Sequence, residues 1–169
     1  MSKLKSDEHM EKQELERRVS ELINTYDNPW NEHDIREEAF HLLCSLAKRY
    51  PLALDLVIIN AQHYIETQRI DDADPYSPNS FDVLSEVGKG NPKVISFLKY
   101  TLQNEWGIPR WEAIETLCKL NDAQADKIIN DLIQGEYPPR FLDLHVDLGK
   151  IRKARPNILS AACVPKPKA

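Results

Sequence analysis

Three groups of side chains in this sequence have the types and spacing to do chemistry. The first is Asp71, Asp72 and Asp74 with Tyr76 close behind. Clustered carboxylates steer a basic partner and a tyrosine adds an aromatic contact, so this run is a candidate binding element. The second is Asp143, His145 and Asp147, which share a face if the segment is extended; such a triplet can hold a metal or orient a base, although a lone histidine between aspartates is usually a solvated face. The third is the set Cys44, Cys118 and Cys163. An odd number of cysteines without CxxC spacing argues against a disulfide framework and against a zinc site, so they read as thiols. No nucleophile is placed by sequence beside a base that could activate it. We therefore expect no enzyme, no metal and no cofactor.

Tryptophans form a fourth group. Trp30 and Trp106 lie at helix junctions and Trp111 in the first turn of a helix. The expectation is that they fill gaps between helical hairpins, the alternative being that they anchor a partner, because tryptophan is enriched at interface hot spots. The expected partner-binding set is Asp71, Asp72, Asp74, Tyr76, Trp106 and Trp111.

Composition limits the classes. The chain has 169 residues, 41% hydrophobic and 29% charged, with 5 glycines, which is ordinary for a globular protein. Its longest apolar stretch, near Leu54 to Ile59, is interrupted by Asp55 and falls short of the roughly 20 residues a membrane span needs. The N-terminus lacks the apolar core of a signal peptide, so a cytoplasmic location is expected. Net charge is −5. Binding to nucleic acid gains from releasing phosphate counterions to lysine and arginine, and a net acidic chain is poorly suited to it. The basic cluster Lys150, Arg152, Lys153 and Arg155 leads into a Pro/Lys tail, which we set apart as 156–169 from a single domain over 1–155.

The elements that must position these groups are helices. Leu15, Val19, Leu22, Ile23 and Tyr26 share one helical face within 6–26, and Ile35, Ala39, Leu42, Leu43, Leu46 and Tyr50 share another after the Asn28-Pro29 break. Pro51 can open a helix through Gln68, whose apolar residues nearly encircle it, so it is expected to be the most buried. Residues 69–79 form the longest loop. A short helix over 80–87, one from Asn91-Pro92 to about Glu105, one from Pro109 and one from Asp122 to Ile133 follow, with Gly135 as a stop. The segment 141–148 fits strand alternation, while Phe141, Leu144, Leu148 and Ile151 fit helical spacing. Both readings stay open.

The sequence also repeats. Arg36-Glu37-Glu38-Ala39-Phe40-His41-Leu42-Leu43-Cys44-Ser45-Leu46 aligns without gaps on Arg110-Trp111-Glu112-Ala113-Ile114-Glu115-Thr116-Leu117-Cys118-Lys119-Leu120, an offset of 74 positions (110 − 36). A weaker copy, Phe81 to Val87, lies between them without the arginine. In-register cysteines beside core leucines read as small packing residues. The run R-x-E-A-x-x-x-L-C-x-L, with the following A-x-x-I-I-x-x-L-I helix, resembles HEAT repeats, and in particular the short repeats of phycobilisome-lyase-like proteins, over roughly 34–135. The resemblance implies an all-α fold: a right-handed α-solenoid of antiparallel hairpins, about three repeats with an N-terminal helix and an irregular C-terminal segment. It also implies that Arg36 and Arg110 support packing between repeats.

Solenoids present curved surfaces to partners, so the expected function is a non-catalytic adaptor that binds a protein partner, of basic character given the acidic loop, through its solenoid surface and the 69–79 loop. The alternatives are a HEAT-like enzyme or lyase subunit, and a small acidic inhibitor such as an immunity protein covering a basic site. A DNA glycosylase of this architecture needs a basic concave face, which the net charge opposes.

Overall fold

A computed structural model describes residues 11–68, 80–105, 107–134 and 151. Every regular element among them is helical: α1 (Lys12–Asp27), α2 (His33–Arg49), α3 (Pro51–Gln68), α4 (Ser80–Val87), α5 (Pro92–Asn104), α6 (Gly107–Leu120) and α7 (Ala123–Ile133). None is long and apolar enough to cross a membrane.

The boundaries follow from local chemistry. The Asn91 side chain accepts hydrogen bonds from the Lys93 and Val94 backbone N–H groups, with Pro92 at the first helical position where no N–H is needed. Asp122 does the same for α7 through Gln124 and Ala125. Gly88 ends α4 because nothing larger fits: a Cβ there would lie 2.5 Å from the Leu84 carbonyl oxygen and 2.6 Å from a Val94 methyl. Gly107, expected to lie in a break between helices, instead opens α6 with a φ of +62°, a left-handed conformation that favours glycine.

The helices lie in two layers. One holds α2, α4 and α6; α1 and α3 pack together in the other, as do α5 and α7. Within each layer, ion pairs join matching ends. Lys48 at the end of α2 meets Glu86 at the end of α4 at 3.0 Å, and Lys93 at the start of α5 meets Asp55 at the start of α3 at 2.7 Å. The α2, α4 and α6 helices therefore end on one edge of the molecule, and α1, α3, α5 and α7 on the opposite edge. One continuous core joins Leu15 and Val19 of α1 to Ile129 and Leu132 of α7, and it includes Ile151, which is fully buried.

Two expectations are corrected. The helix α3 is not the most enclosed: Ile59 is 56% exposed, whereas α6 buries eight of its residues, Arg110 and Thr116 among them. Each helix packs on three others, α6 on α4, α5 and α7 and α3 on α1, α2 and α4, but α3 makes little contact with α5. Ile35, expected on the inward face of α2, is 46% exposed because it lies in the first turn, before the helix reaches the core.

The repeat has a structural counterpart. Arg36 donates from Nε to the Tyr26 carbonyl at 3.0 Å, and Arg110 donates to the Leu102 carbonyl. Each arginine begins one helix and satisfies a carbonyl in the last turn of the preceding helix, a group the helix itself leaves without a partner. Cys44 and Cys118 are both buried, at 5% and 4% exposure. Burial, reinforced by Glu86, pushes the Cys44 thiol up to about 11, which suits a packing residue rather than a nucleophile.

Candidate functional site

The corner between α1 and α2 holds the most exposed aromatic side chain described. Asn28 receives the Trp30 backbone N–H on its side-chain oxygen at 3.0 Å and the Asn31 N–H on its carbonyl at 3.2 Å. Asn31 donates its side-chain amide to the Thr25 carbonyl at 2.9 Å, and Arg36 holds Tyr26 from the other side. Asn60 of α3 donates to Asp27 at 3.3 Å and to the Ser80 hydroxyl at 2.8 Å, fastening the corner to its neighbours. With Pro29 fixing the backbone between them, this is a rigid turn that presents Trp30 outward at 91% exposure.

Beside it lies a shallow depression of about 260 Å³ lined by Tyr26, His33, Arg36, Glu37 and Phe40. The Tyr26 and Phe40 rings are 5.4 Å apart, with the Arg36 guanidinium 5.9 Å from the Tyr26 ring centre. Burial, reinforced by Asp82, pushes the Tyr26 hydroxyl up to about 12, so it stays neutral. The turn is rich in carboxylates: Asp27, Glu32 and Asp34 flank it in sequence, Glu37 lines the depression opposite Arg36, and no lysine or arginine occurs between Arg18 and Arg36.

His33, Asp34 and Glu37 bring donor atoms within 4.8 Å of one another, but all three are exposed and no buried donor joins them. They form a solvent-exposed polar cluster at the start of α2.

Of the residues expected to bind a partner, Asp71, Asp72, Asp74, Tyr76 and Trp106 lie outside the described residues, as do Asp143, His145, Asp147 and Cys163. Trp111 is described: it is half-buried on α6, and its indole N–H is buried without an acceptor. Trp30 does not fill a gap between hairpins. The Asn28-Pro29 turn directs it away from both helices before α2 begins. A signal was present in the sequence, since the positions three and four residues from Trp30 are Tyr26, Asp27, His33 and Asp34, which offer no aliphatic stripe for an indole to join.

No protein-family model matches the chain, and no curated protein or solved structure matches it either.

Proposed function

We propose that this chain is a non-catalytic, cytoplasmic protein-binding module, a HEAT-like right-handed stack of helical hairpins that contacts a protein partner of basic character at the Trp30 corner. The observation that carries this reading is Trp30 itself, a large aromatic side chain 91% exposed on a turn held by four side chains. A rigid aromatic residue loses little conformational entropy on binding and gains the burial of a large apolar area, which is why such residues dominate interface energetics. The carboxylate-rich turn favours a basic partner and suppresses acidic ones. Asp71, Asp72, Asp74, Tyr76, Trp106 and Trp111 remain in the proposed contact set.

The test compares affinity capture from native cytosol by the wild-type chain and by Trp30→Ala, quantified by mass spectrometry. Loss of a hot-spot residue costs about 2 kcal/mol or more, so recovery of the true partner should fall roughly thirtyfold while the helical circular dichroism is unchanged. Equal recovery by the two chains would remove Trp30 from the interface.

A further inference from the structure

We infer that the edge on which α1, α3, α5 and α7 end receives a basic segment of the partner, and that the opening between the last turns of α3 and α5 takes one lysine or arginine side chain. This rests on the protein-binding reading above and specifies the chemistry that the partner brings.

The opening follows from how α3 and α5 run. Lys93 bonds both oxygens of Asp55, at 2.7 and 2.9 Å, and so ties the two helices together where they start. Towards their C-terminal ends they leave a depression of about 230 Å³ between Gln62, Ile65 and Glu66 of α3 and Phe97, Tyr100 and Glu105 on the α5 side. Its floor is apolar, with Ile65 and Phe97 each 6% exposed. Its mouth is polar and aromatic: Gln62 and Glu66 are exposed, and the Tyr100 ring is 57% exposed.

Electrostatics then select the occupant. A helix C-terminus carries the equivalent of about half a negative charge, and proteins commonly offset it with a lysine or arginine in the last turn. The α2 and α6 helices follow that pattern with Lys48, Arg49 and Lys119 and α4 does not, while on the opposite edge α1, α3, α5 and α7 carry no basic residue in their own last turns. Arg36 and Arg110 already meet last-turn carbonyls of α1 and α5, so among the described residues the uncompensated dipoles on this edge are those of α3 and α7, and the Glu66 carboxylate adds a full charge beside the opening. A lysine or arginine matches every part of it. The aliphatic stem packs on Ile65 and Phe97, the cation meets Glu66 and the C-terminal end of α3, and the Tyr100 ring offers its face to the charge. An acidic side chain is repelled at the mouth, and a purely apolar one leaves Glu66 unanswered.

The experiment titrates the full chain with hexa-arginine, hexalysine and hexaglutamate peptides while amide resonances are followed by NMR, at low and at near-physiological ionic strength. The basic peptides should shift Gln62, Glu66, Phe97 and Tyr100 most, and hexaglutamate should shift none of them. Glu66→Gln or Tyr100→Ala, both at exposed positions, should weaken basic-peptide binding about three- to tenfold. Glu11→Gln removes the same charge at the start of α1, on the opposite edge, and should change it less than about twofold. Shifts spread evenly over all acidic residues would overturn the proposal, as would unchanged binding by the Glu66 and Tyr100 variants or an equal effect of Glu11→Gln. The peptides are used without the partner, so failure here leaves the Trp30 test standing, and failure at Trp30 leaves this one standing.

Discussion

At the scale of single residues, the two arginines of the repeat show how one chemical task recurs. Arg36 and Arg110 occupy aligned positions, and each reaches back to a carbonyl in the last turn of the helix before it. Their surroundings differ, because Arg36 is half-buried and Arg110 is 3% exposed. Truncating a buried donor strands its acceptor away from water, while a partly exposed carbonyl can turn to solvent. Arg110→Ala should therefore cost about 3 kcal/mol of unfolding free energy and Arg36→Ala about 1 kcal/mol, read from urea denaturation at neutral pH. Equal losses would mean that the structural equivalence of the two sites carries through to their energetics, against this expectation.

At the scale of elements, Asp122 joins two turns as well as capping a helix. Its carboxylate accepts the Gln124 and Ala125 N–H groups of α7, each at 2.9 Å, and the Gly90 N–H of the α4–α5 turn at 3.1 Å. Partial burial alone would raise its pKa. The three backbone donors and nearby Lys89 outweigh that and hold it below the usual aspartate value of 3.8. A depressed carboxyl pKa contributes stability that is present above the unfolded-state value and lost as pH falls through the folded-state value. Asp122→Ala should thus cost about 1–2 kcal/mol at pH 7, and its difference from the wild type should shrink as pH drops below about 4. A difference that stays constant down to acid unfolding would show that the charged cap contributes nothing.

At the scale of the molecule, one core spans the described residues, and the chain returns to it at Ile151 after α7 has ended. Ile151 is fully buried within that core. Ile151→Ala should lower stability by about 2–4 kcal/mol, measured by thermal or urea unfolding with all probes moving together. A change below about 0.5 kcal/mol would mean that Ile151 contributes nothing to the cooperative fold.

The helices were legible along the chain, because the 3.6-residue period and the capping residues Asn91 and Asp122 are local features that need no tertiary partner to be read. The sequence also placed Cys44 and Cys118 in the core and paired Arg36 with Arg110, since an in-register repeat transfers the environment of one copy to the other. How far each face is covered depends on the packing of helices distant in sequence. Ile35 and Ile59 belong to apolar stripes yet remain exposed, because burial depends on which neighbour arrives and how closely. The same holds for Trp30, which faces solvent, and for the opening that α3 and α5 leave at their C-terminal ends. Both depend on the direction in which a turn releases the chain and on the separation of helices distant in sequence, and neither quantity is encoded in the spacing of residues along one segment.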